Sequence, residues 1–423
     1  MKTKAVIENG FKETEIGLIP EDWEVVNVDK YIQFERGTEP GSENYNKDKK
    51  GVRFLRVVDI SGSRDDKTYT TSKKLKLCKK KDILITFDGS PGIVKQGLEG
   101  AYSSGIRKVV IINKDLFSDY VYYVLQTIYV QRTIEKYTTG VTIKHSSKAI
   151  LHIKIPFFSI QEQQKIAFVL SKIQQAIEQQ DRIIETTREL KKSLMNKLFT
   201  EGLHGEEQKE TEIGLLPKSW KSESISNVVE KTKQIDPRKT PNLSFKYIDV
   251  SGISNEFYKI IEYRTYNGSN APSRAKKLIQ TNDVIFATVR PTLKRIAYVD
   301  EDYDGKICST AFCVLRSKKN VLSSRYLYYC VQNDEFIEEL AKLQRGASYP
   351  AVTDGDIKRQ QIPLPKVEEQ KEIANVFFNI DKKLAQVESR KQTLQALFKT
   401  VLNQLMTGKV RVRDLDIEVK ENV

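Results

Sequence analysis

The sequence predicts an α+β chain in which two β-rich domains are each followed by one long amphipathic helix. Two long segments of the sequence occur twice, each apolar helix repeats its hydrophobic positions in heptads, and the rest is short apolar runs broken by turn residues. The expected division is a first domain at 1–158, a helix at 159–202, a second domain at 203–365, a helix at 366–408 and a tail at 409–423.

The first helix reads from Ile160 to Phe199 without an interrupting Gly or Pro. About forty residues at about 1.5 Å each give a rod near 60 Å. Ser159, with Glu162 three residues on, predicts a capping box at its start, and Gly202 predicts its stop. Ile166, Ile173 and Leu194 share one heptad position, which Gln180 and Thr187 fill less well. Val169, Ala176, Ile183 and Leu190 follow three residues later, and Leu170, Ile177, Ile184 and Leu198 widen the stripe. Such a seam needs a partner. Val367 to Met406 supplies it, with Ile373, Val376, Ile380, Leu384, Val387, Leu394 and Val401 at seam positions. The two helices agree in register at an offset of 207: Ile166 answers Ile373, Ile173 answers Ile380, Ala167 answers Ala374, and Glu162-Gln163 answers Glu369-Gln370. A preceding Ile-Pro also repeats, as Ile155-Pro156 and Ile362-Pro363.

In chain order, KETEIGLIPEDW (Lys12–Trp23) returns 197 residues later as KETEIGLLPKSW (Lys209–Trp220). Gly17 and Pro20 suggest a turn, and Trp23 a buried anchor. The run Phe54–Ile60 and the run Tyr247–Val250 both read as β, each leading into Ser-Gly. Asp82–Thr86 and Asp283–Ala287 are apolar strands at offset 201, followed by the loops FDGSPGIVKQG (87–97) and TVRPTLKRI (288–296). Val109–Ile112 and Phe312–Leu315 are further strands. Tyrosine-rich helices follow at offset 206, Tyr120-Val121-Tyr122-Tyr123 against Tyr326-Leu327-Tyr328-Tyr329, and then glycine turns at Gly140 and Gly346. The offset wanders before residue 115 and steadies afterwards, so insertions cluster in the domain loops. Two domains therefore share a frame and present different loops. Residues 201–210 read as a linker, and the charged tail is expected either to add a strand to the first domain or to stay disordered.

Hydrophobic residues make up 39% and the formal charge is +14, which indicates a folded chain with a polyanionic partner, nucleic acid before acidic membrane. Four unevenly spread cysteines suggest a reducing compartment, and no apolar run approaches a membrane span or a secretory signal, so a cytoplasmic protein is expected. Catalytic signatures are missing. Thr407-Gly408-Lys409 lacks the rest of a phosphate loop, and there is no dinucleotide fingerprint and no Asn/Asp-Pro-Pro-aromatic stretch of an amino-methylating site. His145, His152 and His204 lack zinc spacing, Cys308, Cys313 and Cys330 read as buried thiols, and Asp354, Asp356 and Lys358 form a nuclease-like fragment of a kind common by chance. No metal or cofactor site is therefore expected in the chain.

Basic residues interleaved with aromatic ones are better represented. The first domain offers Lys47, Lys49 and Lys50 beside Tyr45, then Lys73, Lys74, Arg107, Lys144 and His145. The second offers Arg238, Lys239, Arg274, Arg290, Lys294, Arg295, Arg345, Ser348 and Tyr349. Lysines would hold phosphates, and arginine and hydroxyl side chains on loops can read base edges. Any one cluster reads better as a plain solvated surface; taken together with the charge and the two unlike loop sets, they point to nucleic-acid binding by both halves.

The doubled Ile-Gly-x-hydrophobic-Pro-x-x-Trp opening and the doubled Ile-Pro…Glu-Gln-x-x-Ile-Ala helix resemble specificity subunits of type I restriction-modification systems, over essentially the whole chain. The Pro-Pro-Leu that many members carry before Glu-Gln is replaced here by Pro156-Phe157-Phe158 and Pro363-Leu364-Pro365. The resemblance implies two target recognition domains, two long helices packed antiparallel, pseudo-twofold symmetry and no catalysis. It also implies recruitment of two methyltransferase subunits that use S-adenosylmethionine and two motor-nuclease subunits that use ATP and magnesium. The target would be double-stranded DNA with two specified halves around an unspecified spacer, and a helix rod of about 50–60 Å would set the domains apart by between one and two DNA turns of about 34 Å. The localisation implied is the prokaryotic cytoplasm, at the nucleoid. The tyrosine helices and the outer face of the helix pair are expected to dock methyltransferase. A specificity subunit of another restriction class, with methylation and cleavage fused in its partner, and a coiled-coil scaffold with incidental basic surface remain as alternatives.

Overall fold

A computed structural model describes residues 10–62, 67–413 and 415–416. The chain divides into two compact units, Met1–Asp181 with Ser389–Val423, and Arg182–Glu388, so each long helix contributes to both.

In the first unit the doubled opening is a hairpin, Phe11–Thr14 against Gly17–Pro20. Trp23 follows it, 1% exposed and stacked 3.9 Å from Phe158. Glu24–Asn27 pairs antiparallel with Lys154–Phe157, the strand that leads into the first long helix. Two sheets complete the domain. One runs in the order Val94–Lys95, Ile83–Thr86, Ile106–Ile111, Ile32–Arg36. The other runs Tyr45–Asn46, Thr68–Thr70, Val52–Leu55, Gly100–Tyr102, Leu77–Cys78, with a parallel pairing between Val52–Leu55 and Gly100–Tyr102.

The second unit repeats this plan. Gln208–Thr211 and Gly214–Pro217 form the hairpin, and Trp220 is again 1% exposed. Its sheets run Val229–Glu230, Phe312–Ser317, Val284–Ala287, Ile296–Tyr298, and Arg264–Asn267, Ser244–Ile248, Ile307–Ser309, Ala275–Leu278. Again one pairing is parallel, Ser244–Ile248 with Ile307–Ser309. The duplication read from scattered residues is thus a duplication of topology.

The run at 54–60 differs from the expected strand. It leaves the sheet at Leu55 and forms a short helix, Val57–Ser61. The cause is Asp59, whose carboxylate accepts the Arg56 N–H at 2.9 Å and so caps that turn; Gly62 ends it at φ 69°. Its counterpart Asp249 caps from the other side: it is the N-cap of a 3-10 turn, Val250–Gly252, and accepts the Val250 N–H at 2.8 Å, so the run Tyr247–Val250 also leaves its strand, at Ile248. The repeated Asp of the two hydrophobic strands is also a turn residue: Asp82 accepts from Lys79 N and Asp283 from Gln280 N, both at 2.8 Å.

The long helices span Ile160–Thr200 and Val367–Met406. They pack on each other and run antiparallel. In the first unit Ile166 and Leu170 of one share a core with Leu402, Leu405 and Met406 of the other. In the second unit Met195, Leu198 and Phe199 share a core with Ile373, Ala374 and Phe377. Ion pairs line the contact, Lys391–Asp181 at 2.5 Å in the first unit and Lys191–Asp381 at 2.7 Å in the second. The buried stripe is rotated from the expected one. Leu170, Ile177, Ile184 and Leu198 are at most 9% exposed, whereas Leu190, expected in the seam, is 52% exposed. Val169, Ile183 and Val376 are only half-buried, as are Ile173, Leu194, Ile380, Leu384, Leu394 and Val401, while Val387 is buried. Each helix packs against its domain as well as its partner, and that widens and turns the apolar face beyond a two-helix seam.

The doubled Glu-Gln is a latch. Gln163, fully buried, accepts the Phe117 N–H at 2.9 Å and donates to the Asp115 and Phe158 carbonyls at 2.9 Å each. Gln370 repeats it with Ser323 N–H at 2.7 Å, Val321 O at 3.0 Å and Pro365 O at 2.9 Å. The Ser159 hydroxyl accepts the Glu162 N–H at 3.4 Å, but the Glu162 side chain leaves the capping box for Trp23 and Arg411. Trp220 donates to Glu369 at 3.0 Å in the same way. The described part of the tail lies on the first unit, with no strand added among the described residues. Arg411 forks onto Glu162 (2.7 and 3.0 Å) and Asp22 (2.9 and 2.8 Å), Val412 is 2% exposed, and Lys165 donates to the Arg413 and Leu415 carbonyls. The tail beyond 416 and Asp414 lie outside the described residues.

Tyr123, Tyr328 and Tyr329, expected to dock a partner, are inside their units. Tyr329 donates to Asp381 at 2.9 Å and so fastens its domain to the long helix, while Tyr328 donates to the Tyr258 carbonyl at 2.9 Å within the domain. Tyr122 is half-buried. Tyr120 and Tyr326 donate to the backbone carbonyls of Pro156 and Pro363. Among the described residues no helix is long and apolar enough to cross a membrane.

Candidate nucleic-acid interface

In both units the loop after the hydrophobic strand is zipped to the glycine turn that follows the tyrosine helices. In the first unit Asp88–Gly89 pairs antiparallel with Lys144–His145. Thr139 and His145 exchange backbone bonds of 2.8 and 2.7 Å, and Ser146 N and Oγ both donate to the Phe87 carbonyl. Gly140 is at φ 97°, and a Cβ there would lie 2.1 Å from the Ile143 carbonyl, so the turn requires glycine. In the second unit Val289 bridges Ala351, Arg345 bridges Ala351, Arg290 N donates to Pro350 O at 2.7 Å, and Gly346 is at φ 94°. The correspondence is residue by residue: Asp88 matches Val289 at the strand offset, and His145 matches Ala351 at the turn offset.

This shared frame carries unlike side chains. The first unit projects Val141, fully exposed, with Ile143 and Lys144, while His145 Nδ1 and Asp88 Oδ1 meet at 2.7 Å. The second projects Tyr349, 72% exposed, with Arg290, Arg345 and Ser348. The Arg290 guanidinium lies 5.1 Å over the Tyr349 ring. Arg345 stands 3.8 Å from Asp356, a carboxylate committed to capping the next helix through Thr353.

Three of the basic residues expected at DNA are turned inward. Arg107 is 5% exposed and donates to the Ser104 and Ile106 carbonyls and to Ser147 Oγ, with Asp88 at 3.6 Å. Burial pulls its pKa below the ordinary value, so its charge is held against desolvation by Asp88. It supports the loop from beneath. Lys294 donates to Gln332 O and to Asp334, and Arg295 to the Val250 and Ile253 carbonyls at 3.0 and 2.8 Å. Both staple the loop 288–296 to its domain; a strand-to-turn loop with orphan carbonyls below it recruits such donors.

The remaining candidates lie elsewhere on the surface. Lys47, Lys49 and Lys50 occupy the turn between Tyr45–Asn46 and Val52–Leu55, and Lys73 and Lys74 follow Thr68–Thr70 of the same sheet; all are exposed. Arg238 and Lys239 are exposed on a 3-10 turn, where Arg238 is engaged by Asp236 at 2.9 and 2.7 Å. Exposed Arg274 borders a cavity of about 260 Å³ shared with Asp249, Glu262 and Arg264. Asp354 and Asp356, the nuclease-like pair, are a Lys277 partner at 2.5 Å and a helix cap. Cys308, Cys313 and Cys330 are buried, which raises their thiol pKa values, Cys313 to about 12. Sequence reasoning gave no role to Val141 or to Asp88, although Asp88 lies in the loop 87–97; the exposure of an apolar side chain such as Val141 has no signature in sequence.

The paired loops put one frame with unlike exposed side chains in both units. The chain belongs to the type I restriction modification DNA specificity domain family, whose model matches residues 20–187 and 217–396, once per repeat. It is thus a specificity subunit of a type I restriction-modification system, directing recognition of DNA for methyltransferase and restriction partners. Among its relatives, the type I restriction enzyme MjaVIII specificity subunit of Methanocaldococcus jannaschii is 27% identical over 97% of this chain and 98% of that one. A putative MjaX specificity subunit of the same organism is 26% identical over 96% and 98%. The crystal structure of a type I S subunit from M. genitalium aligns over 96% of this chain and 99% of that one with a TM-score of 0.58 and 17% identity, a likeness of fold.

Proposed function

We propose that the two units read two different half-sites, so that the target is bipartite and asymmetric. The observation that carries this reading is the pair of zipped loops, one frame in both units with Val141, Ile143, Lys144 and His145 in the first and Arg290, Arg345, Ser348 and Tyr349 in the second. Direct readout depends on which donors, acceptors and apolar groups reach the base edges. Unlike side chains on one frame therefore give unlike half-sites. The exposed lysines at 47, 49, 50, 73 and 74 and the basic residues Arg238, Lys239 and Arg274 hold phosphates and set the salt dependence.

The chain recruits two methyltransferase subunits, which bind S-adenosylmethionine, and two motor-nuclease subunits, which use ATP and magnesium; it holds none of these cofactors itself. It acts on the chromosome in the prokaryotic cytoplasm. Methylome sequencing of a host expressing the chain with its methyltransferase tests the reading. The expected result is one motif with two unlike specified parts around a fixed unspecified gap. A continuous motif, or two identical inverted halves, overturns it.

A further inference from the structure

Six residues other than glycine hold a positive φ among the described residues, and two of them, Arg290 at 48° and Lys294 at 52°, share the loop that follows the hydrophobic strand of the second unit. Lys294 has a structural reason: its ammonium is tied to Asp334 and to the Gln332 carbonyl. Arg290 has none of that kind. It precedes Pro291, which disfavours helical backbone at that residue, and a left-handed conformation is costly for any side chain with a Cβ. The first repeat solves the same backbone problem with glycine: Gly89 occupies the equivalent position, 201 residues earlier, at φ 78°. Both sites make the same zip. Gly89 pairs with Lys144, and Arg290 donates its N–H to Pro350, the residue 206 after Lys144.

The Arg290 side chain contributes little to the fold. It is exposed, and among the described residues its hydrogen bonding is a single contact of Nη2 with the Ser348 carbonyl at 3.3 Å. Among the described residues no carboxylate pairs with it, unlike Arg238, Arg107, Lys294 and Arg345. Tyr349 lies against its face and fixes the plane of the guanidinium while leaving its edge open. An exposed planar fork with an unneutralised charge suits base recognition, and a backbone held at a costly angle is of the kind kept at functional sites.

Resting on the half-site reading above, we infer that Arg290 determines specificity: its fork donates to O6 and N7 of a guanine in the half-site read by the second unit, and Gly89 leaves the first half-site without that contact. A bidentate arginine–guanine pair is the commonest specific contact in the major groove.

The complex of this chain with its methyltransferase partner tests the inference, with Arg290→Gly and Arg290→Lys beside the unaltered chain. The unaltered chain yields a bipartite motif with a guanine in the second half-site, and 7-deazaguanine there weakens binding of a duplex about tenfold or more. Arg290→Gly removes discrimination at that one position, by roughly 10- to 100-fold, becomes indifferent to 7-deazaguanine, and keeps or raises its unfolding temperature because glycine suits the backbone. Arg290→Lys keeps the salt dependence of binding but loses the base preference. A bipartite motif that is unchanged in Arg290→Gly, or whose second half lacks guanine, overturns this inference and leaves the half-site reading standing. A wild-type motif that is not bipartite overturns both.

Discussion

Gln370 is the residue whose removal most directly tests why Glu-Gln opens both long helices. Its side-chain amide is fully buried and makes three hydrogen bonds, all to backbone: one accepted from Ser323 N–H and two donated to Val321 and Pro365. In Gln370→Ala the amide is lost and one buried N–H and two carbonyls lose their partner. At about 1 kcal/mol net for each bond, the loss is about 3 kcal/mol, and it is higher if water cannot enter. Against a domain stability of about 5–15 kcal/mol this is large. Urea unfolding of the purified chain should show the midpoint falling, and hydrogen exchange should quicken at 321–330, the start of the tyrosine helix, while 115–125 in the other unit stays protected. Gln163→Ala should reverse that pattern, since its partners are Asp115, Phe117 and Phe158. Asn375→Ala, an exposed position on the same helix, should change stability by less than about 0.5 kcal/mol. A loss under about 1 kcal/mol in Gln370→Ala, or exchange that rises equally in both units, would refute the latch.

Three other outcomes follow from the same structure. Arg411→Ala strips Glu162, a carboxylate buried beside Trp23, of its charged partner; the expected cost is about 2–4 kcal/mol, read as a lowered unfolding temperature and as faster proteolysis after residue 406. Glu35 is held at a pKa of about 2, below its ordinary 4.5, first by the hydrogen bond from Lys76 and then by those from Tyr102 and Lys108. A carboxylate depressed by folding stabilises the folded state above its unfolded pKa and ceases to do so as pH falls through its folded one. The stability difference between wild type and Glu35→Gln should therefore be full near about pH 6 and shrink between about 4.5 and 2; a difference that persists at about pH 2 contradicts it. Deleting one heptad from each long helix removes about 10 Å of helix, close to 3 base pairs at about 3.4 Å each. Methylome sequencing should then show a shorter spacer or no methylation, and an unchanged motif would separate helix length from spacing.

The fold was legible where the sequence repeats itself. Ile166 against Ile373 and Trp23 against Trp220 gave the duplication, and the structure returns it as matching strand orders, with the edge strand Tyr45–Asn46 added in the first unit. What was misread was local. Phe54–Ile60 has strand propensity throughout, yet the Asp59 carboxylate accepts the N–H of Arg56, the first residue past the strand end at Leu55, and the chain turns into a helix there. Heptad counting put Leu190 in the seam because it assumes one partner, whereas Met195 and Leu198 face a domain as well as a helix.

The interface was legible only as composition. A list of basic residues cannot distinguish Arg107, which carries its charge inward to Asp88, from Arg290, which carries it outward, because the difference lies in which loop carbonyls sit beneath each one. Placing Gly89 over Arg290 needs the loop offset of 201, and that alignment alone would suggest mere drift. Only the backbone angle turns it into an argument. At φ 78° glycine is the expected residue; at φ 48° an arginine is not, and the surrounding loop holds it there at a cost. Lys294 carries a like cost, but its ammonium ends at Asp334, inside the protein, and so points to no ligand. The Arg290 side chain meets only the Ser348 carbonyl and the Tyr349 ring among the described residues, with no carboxylate to neutralise it, and that difference makes its backbone evidence for binding.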